Sequence, residues 1–178
     1  MKSSFKRDTK ETRISATLDL EGSGSNEVAT GIGLLDEIIA ALAKASGFDL
    51  TVKAKGDLAT GDHHTTEDVG IALGSVLGKL IKKGMGSSIV PSGNCLSLAV
   101  VCFGEHGYFG DFEFEAHEIG GMALENFGHF ARTVAYNGRF TLHLSAKGGN
   151  DHQKVEAMTI ALGRALRKAA IDGGLEKM

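Results

Sequence analysis

An internal repeat is the feature of this sequence that most constrains its fold. The segment DHHTTEDVGIALGSVLGK (residues 62–79) aligns without gaps onto DHQKVEAMTIALGRALRK (residues 151–168). The preceding segment FDLTVKAKG (residues 48–56) aligns in the same way onto FTLHLSAKG (residues 140–148). Two matched segments in the same order indicate a duplicated structural unit. We therefore predict one domain over residues 1–178, built from pseudo-repeat halves at about residues 7–88 and 89–172.

The spacing of apolar residues predicts the elements of each half. Alternation of apolar and polar residues predicts strands at 13–20, 48–55, 96–103, 107–114 and 140–145. Helical spacing predicts helices at about 31–46, 63–83, 120–136 and 152–171. GSGSNE is expected to be a loop, GMGSS a break after the second helix, and GEHG the turn of a hairpin between the third and fourth strands.

This order predicts an α/β (α+β) fold with an internally duplicated half-domain. Each half is expected to be a small, mostly antiparallel sheet covered by helices. Because each sheet buries one face under its helices, the two halves should share a core or pack as paired layers.

Charge and hydropathy exclude several classes of function. The formal net charge is −3 with both signs mixed along the chain, so we expect no nucleic-acid partner. No apolar run approaches the roughly 20 residues that span a bilayer, so we expect no membrane association. The first residues, MKSSFKRDTKET, lack the apolar core of a secretory signal. Cys95 and Cys102 form no CxxC pair, which favours a reduced, cytoplasmic protein.

The repeated helices carry an imidazole–carboxylate pair at the same place. His63 and Glu67 are four residues apart, as are His152 and Glu156, and this spacing puts both side chains on one helix face. Such a pair can share one metal ion. His64 is rotated by about 100° around the helix, so it should face a second site. In the other repeat, Gln153 stands at that position.

A surface ion pair is the alternative interpretation of each His/Glu pair. Its recurrence in both halves favours metal binding instead. His143 lies on the polar face of its predicted strand, as a further ligand or as a solvated residue. His129 is the repeat counterpart of Glu37, and either could complete a site or simply pack against a neighbouring helix. His106 and His117 are expected to be surface residues.

The types of donor limit the choice of metal. Imidazole combined with carboxylate suits Mn²⁺, Fe²⁺ or Zn²⁺, and the lack of a cysteine ligand argues against a structural zinc cage. Such an ion could polarise a substrate or stabilise developing negative charge.

Six segments together resemble a known family. RDTKETRI, TGIGLLDE, GFDLTVKAKGDL, DHHTTEDVGIALG, TLHL and GGNDHQKVEAM…ALGRALRKA resemble, in order, the motifs of imidazoleglycerol-phosphate dehydratase. The resemblance implies a hydro-lyase of histidine biosynthesis that acts on a small, imidazole-containing substrate with manganese. It also implies one or two Mn²⁺ ions per chain and a large homo-oligomer, a 24-subunit cage whose sites lie between subunits.

The resemblance also implies roles for individual residues. One ion would use Glu37, His64, His152 and Glu156, and the other His63, Glu67, His143 and Gln153. The family has histidine at positions 37 and 153. A glutamine amide is a weak ligand, so the second site would bind less tightly or use water or His129 instead. Glu11 matches an acidic residue that contacts substrate, and we expect Glu11, Glu67 and Glu156 to act in catalysis.

The sequence departs from the family where substrate phosphate is bound. The arginines and lysines of the family are replaced by Gly84, His106 and Ile160, and a nearby glutamine and histidine by Ala41 and Ala45. Three readings therefore stay open. The chain could perform the family reaction with other phosphate contacts, perform the same chemistry on an altered substrate, or be a catalytically lapsed relative that forms a metal-stabilised cage or partner subunit.

Overall fold

The computed structural model describes residues 1–175, so the last three residues of the predicted domain lie outside the described part. Each half begins with three strands and ends with helix, strand, helix; in the second half two short strands lie between these two parts. The first half contains β1 (Lys2–Asp8), β2 (Thr12–Asp19), β3 (Asn26–Ala29), α1 (Gly33–Ser46), β4 (Asp49–Gly56), a 3₁₀ turn (Leu58–Thr60) and α2 (His63–Leu80). The second contains β5 (Gly84–Ser92), β6 (Cys95–Phe103), β7 (Gly107–Asp111), the short strands β8 (Glu118–Ile119) and β9 (Met122–Ala123), α3 (Glu125–Gly138), β10 (Phe140–Lys147) and α4 (Asp151–Asp172).

The two halves build sheets of identical topology. The strand order is β1-β2-β4-β3 in the first sheet and β5-β6-β10-β7 in the second. In each sheet the first three strands are antiparallel and the last one joins in parallel. The predicted fold class, duplicated α/β with mostly antiparallel sheets under helices, is confirmed.

The predicted hairpin across GEHG is wrong. β7 pairs in parallel with β10, with Gly107 opposite Thr141, while β6 lies between β5 and β10. The prediction failed because GMGSS was interpreted as a break, although it begins strand β5. A Cβ atom on Gly84 or Gly86 would lie 2.1 Å from a carbonyl oxygen of α4. These glycines therefore let the strand backbone approach the helix closely.

Other boundaries also differ from the predictions. β1 and β3 were not predicted, and both are edge strands; polar or charged residues occupy most positions of β1 and half of those of β3, which begins within the predicted loop GSGSNE. The third helix begins at Glu125 instead of about 120, because residues 118–123 form the β8–β9 hairpin. The second helix ends at Leu80, three residues before the predicted end.

The helices pack in two pairs, and each pair contains one helix from each half. α1 packs on α4, and α2 packs on α3. The α2–α3 contact is close: a Cβ atom on Gly74 would lie 2.6 Å from the carbonyl oxygen of Val134. The buried apolar residues of both halves form one contiguous cluster. Across residues 1–175, no helix is long and apolar enough to cross a bilayer.

Candidate metal centre

The first turn of α2 brings one predicted donor pair together. Nε2 of His63 lies 3.4 Å from Oε2 of Glu67, and each side chain is about half exposed. The ring of the neighbouring His64 lies 5.8 Å from that of His63 but has a different carboxylate partner. Its Nδ1 lies 3.3 Å from Oε2 of Glu11, in the loop between β1 and β2. The structure thus brings Glu11, a predicted substrate contact, to a predicted metal ligand.

The first turn of α4 forms a related arrangement with α1. Nε2 of His152 lies 4.0 Å from Oε2 of Glu37, across the helix pair. Glu156 lines the same cleft of about 190 Å³. Its carboxylate does not pair with His152, although Glu67 pairs with His63 at the same spacing, and its Oε2 accepts from the Ser92 hydroxyl at 3.4 Å. The remaining lining residues are Leu34, Ile38, Ala41, Val155 and Thr159. The cleft therefore combines an apolar floor with one imidazole and two carboxylates.

The pseudo-repeat makes these two arrangements equivalent. His63 corresponds to His152, and His129 on α3 corresponds to Glu37 on α1. The rings of His63 and His129 are 5.9 Å apart and meet edge to face. Each helix pair therefore presents a donor from α1 or α3 to the histidine that begins α2 or α4. This relationship places His129, weighed as a ligand or a packed residue, beside the site of His63.

Two predicted ligands have other contacts in the chain. His143 is exposed on β10 and stacks on Phe109 at a ring distance of 4.7 Å. Gln153 forms a capping box, in which its Oε1 accepts from the backbone N–H of Asn150 and the Asn150 side chain accepts from the Gln153 N–H. The side-chain oxygen of Gln153 therefore already stabilises the start of α4.

No complete metal cage forms within one chain. Residues 1–175 contain no group of three or more His, Cys, Asp or Glu side chains arranged to hold an ion. The donors come together in pairs instead, as His63 with Glu67, His64 with Glu11, and His152 with Glu37. Neutral imidazole and carboxylate still match the donors that Mn²⁺, Fe²⁺ and Zn²⁺ accept.

The three substituted phosphate positions are not gathered into an anion site. Gly84 has φ of +118°, and a side chain there would also clash with α4, so no cationic residue fits this backbone. His106 packs edge to face on Tyr136 at 5.0 Å. Ile160 is partly buried against the core.

Sequence reasoning missed the partner of His63. Asn126, in the first turn of α3, is 4% exposed, and its Oδ1 lies 3.1 Å from Nδ1 of His63. Its Nδ2 donates to Oδ2 of Asp62 at 2.8 Å. Asn126 lies in the half of the chain that does not contain His63, and nothing in the spacing of its helix distinguishes it. The sequence does show an aspartate before the histidine in both repeats. It does not show that the first of these aspartates, Asp62, bonds to Asn126.

A group of cations lies near Glu11. Lys10, Arg13 and Lys55 line an open groove that also includes the carboxylates Glu11 and Asp57. Arg13 and Lys55 are directly opposite on β2 and β4, and neither forms an ion pair with another residue among 1–175. Two like charges in this register repel each other unless an anion or solvent separates them.

Comparison with known proteins gives consistent results. The sequence model of the family described as imidazoleglycerol-phosphate dehydratase matches residues 30–166. The chain is 41% identical to imidazoleglycerol-phosphate dehydratase of Desulforudis audaxviator over 176 residues, which cover 95% of this chain and 90% of that protein.

Two solved structures are also similar. A crystal structure of imidazoleglycerol-phosphate dehydratase from Staphylococcus aureus superposes with a TM-score of 0.85 at 28% identity, covering 95% of this chain and 98% of that one. The Pyrococcus furiosus protein, in complex with (S)-C348, superposes with a TM-score of 0.81 at 33% identity and covers 93% of each chain.

Proposed function

The chain belongs to the imidazoleglycerol-phosphate dehydratase family, and from that premise we propose that it is a metal-dependent hydro-lyase that dehydrates imidazole glycerol phosphate in histidine biosynthesis. One observation carries the proposal. Both repeated His/Glu helices direct their histidine at a donor on a helix of the other half, as His152 at Glu37 and His63 at His129. Surface ion pairs without function give no reason for this arrangement to recur in both halves.

The chemistry of the proposed reaction follows from these donors. A bound divalent ion would stabilise the negative charge that develops on the substrate as a proton leaves. Glu11 is about half exposed and lies against His64, so its carboxylate can reach both substrate and solvent. Glu11 lies beside the proposed ligand His64 but on a different element of the fold. Its carboxylate is therefore the one best placed to transfer a proton. Glu67 and Glu156 would hold ions and orient the histidines beside them.

We infer one or two ions per chain, Mn²⁺ first and Fe²⁺ or Zn²⁺ as alternatives. Glu37, His64, His152 and Glu156 form one proposed ligand set. The other set consists of His63, Glu67, His143 and Gln153, with His129 available near His63 in place of Gln153. Because one chain brings these donors together only in pairs, each complete set requires donors from another copy of the chain.

An exposed apolar sheet face supports assembly into a large homo-oligomer. The outward face of the second sheet carries six large or rigid apolar side chains, Met85, Ile89, Pro91, Leu96, Leu98 and Phe109, beside the polar Ser87, Thr141, His143, Ser145 and Lys147. The outward side chains of the first sheet, of identical topology, are polar or charged: Lys2, Ser4, Lys6, Arg13, Thr17, Lys53 and Lys55. An apolar patch of this kind on one of two equivalent faces is typical of an interface.

The substrate phosphate needs cations that the family positions no longer provide. Lys10, Arg13 and Lys55 line the groove beside Glu11, and we infer that this groove receives the anionic end of the substrate. Charge-assisted contacts of this type contribute roughly 1.5–3 kcal/mol each.

The reducing cytoplasm is the proposed location, and Cys95 and Cys102 are both free thiols.

A catalytically lapsed, metal-stabilised cage is the second candidate. The backbone at Gly84 excludes a cationic side chain, and the Gln153 oxygen is engaged in a helix cap. Both features favour loss of the original reaction. They do not affect the helix pairs, so a lapsed relative would still bind metal.

Complementation of a histidine auxotroph that lacks the dehydratase separates the two candidates. The wild-type chain should restore growth without histidine, and Glu11→Gln should abolish it. Glu27→Gln is the matched control, because Glu27 is an exposed carboxylate that pairs with Lys53 on the first sheet. Absence of growth from soluble, metal-loaded wild-type protein would favour the lapsed relative.

A further inference from the structure

Asn126 links the helices that form the first donor pair. Its side chain is buried in the first turn of α3, between Asp62 and His63 at the start of α2. We propose that Asn126 is a positioning residue that holds the His63 ring in the tautomer with hydrogen on Nδ1, so that Nε2 is free to bind a divalent ion.

Asp62 determines the orientation of the Asn126 amide. An ionised carboxylate only accepts hydrogen bonds, so the Asn126 atom that lies 2.8 Å from Oδ2 of Asp62 is the NH₂ group. The same carboxylate oxygen also accepts from the backbone N–H of Ala123, at 3.3 Å. With its NH₂ group held by Asp62, Asn126 presents its carbonyl oxygen to His63.

The Asn126 oxygen in turn determines the His63 tautomer. Oδ1 can only accept, so Nδ1 of His63, at 3.1 Å, must carry the hydrogen. In neutral imidazole the other nitrogen, Nε2, then has the lone pair. Nε2 is the atom that lies 3.4 Å from Oε2 of Glu67, the other predicted donor. Metal-binding histidines generally donate their second N–H to an outer partner, which fixes the ring and strengthens the ligand.

The second half of the chain lacks this device. Asp151, the repeat counterpart of Asp62, accepts from the backbone N–H groups of Glu115 and Ala116, at 2.7–3.2 Å. It therefore holds a loop instead of an amide side chain. Among residues 1–175, no side chain forms a hydrogen bond with the His152 ring. The two repeated histidines thus differ in how their rings are held: Asn126 fixes the His63 ring, and the His152 ring has no such partner among residues 1–175.

The role of Asn126 in metal binding rests on the proposed function, whereas the tautomer does not. Magic-angle-spinning ¹⁵N spectra of histidine-labelled, metal-free protein report which ring nitrogen carries hydrogen, whatever the size of the assembly. The His63 signals are identified by their absence from His63→Ala. Wild-type protein should show hydrogen on Nδ1 of His63. Hydrogen on Nε2 with none on Nδ1 would overturn the proposal without any further variant.

Variants then test the cause. Asn126→Leu keeps the side-chain volume but removes the acceptor, so the Nε2–H tautomer should become populated. Asn137→Leu is the matched control, because Asn137 is exposed on the same helix and bonds only to Thr133. An unchanged tautomer in Asn126→Leu would overturn the proposal.

Mn²⁺ titration of the same proteins, followed by electron paramagnetic resonance of the free ion, tests the link to metal. Asn126→Leu should weaken binding roughly 10- to 100-fold, and Asn137→Leu should not. If wild-type protein binds no Mn²⁺, the proposed function fails. The ¹⁵N spectra then still test whether Asn126 sets the tautomer of the His63 ring.

Discussion

Glu37 and His152 face each other across α1 and α4, with Oε2 and Nε2 4.0 Å apart. Their repeat counterparts, His129 and His63, face each other across α3 and α2. The two halves thus share this geometry, while the donor is a carboxylate at one of the two equivalent positions and an imidazole at the other. The two half-sites should therefore differ in affinity although they share one backbone framework.

Gln153→His should strengthen metal binding. The wild-type amide is a weak ligand, and its oxygen is engaged with the Asn150 N–H, whereas imidazole is a good ligand for these ions. Mn²⁺ affinity, measured by titration calorimetry, should rise relative to wild type. Because the capping bond is lost, the free energy of unfolding should fall by about 0.5–1.5 kcal/mol. Gln153→Ala is the control: it should lose the same stability without gaining affinity, and equal affinities in both variants would contradict this account.

Gly74→Ala should destabilise the α2–α3 pair that supports His63. The added Cβ would lie 2.6 Å from the Val134 carbonyl oxygen and 2.8 Å from the Asn137 Cβ atom, so the helices must separate. We expect a loss of about 1–3 kcal/mol in the free energy of unfolding, measured by urea denaturation. Gly128→Ala on α3 is the matched control, because its Cβ would have only ordinary contacts, at 3.6 Å or more. Replacing this helical glycine should add about 0.5–1 kcal/mol, and similar losses in both variants would refute close helix packing.

Tyr108 should make the fold sensitive to alkaline pH. Burial raises the pKa of its phenol from 10.0 to about 12, because the charged form is poorly solvated. Between these values the unfolded chain has lost the proton and the folded chain has kept it. Stability from this group is therefore complete below pH 10 and is lost as pH rises toward 12. The urea midpoint of wild type should fall more steeply over this range than that of Tyr108→Phe, and parallel curves would contradict the prediction.

Ile89→Lys should weaken the proposed homo-oligomer. Ile89 is 64% exposed on the apolar outer face of the second sheet, and a lysine there would introduce a charge that the interface must bury. Size-exclusion chromatography with light scattering should show smaller species than wild type. Ser4→Lys places the same charge on the polar outer face of the first sheet and should leave the assembly unchanged. A wild-type monomer of 18.7 kDa would exclude the oligomer altogether.

The sequence predicted the features that depend on local pattern. The helices at 63–80 and 151–172, the central strands, and the duplication were all visible in periodicity and self-similarity. The i, i+4 spacing also predicted that His63 approaches Glu67, a contact set within one turn of a helix. The same spacing did not bring Glu156 to His152, because Glu156 meets Ser92 and His152 meets Glu37.

Features that depend on distant contacts were not predicted. β5 begins with glycines that are needed because α4 packs closely against them, and this contact is not apparent from the sequence. The pairing of β7 with β10 instead of β6 depends on which strand edge is free after the sheet assembles. Asn126 was missed and the capping role of Gln153 was not foreseen, because the role of an amide depends on the partner that it contacts.

Metal content of the intact protein tests the central claim most directly. Elemental analysis of protein purified without chelator should find between one and two Mn²⁺, Fe²⁺ or Zn²⁺ ions per wild-type chain. The double variant His63→Ala/His152→Ala should lose them, because each substitution removes the histidine that begins one of the two repeated helices. Metal content unchanged in the double variant would contradict the assignment of these helices as a metal centre.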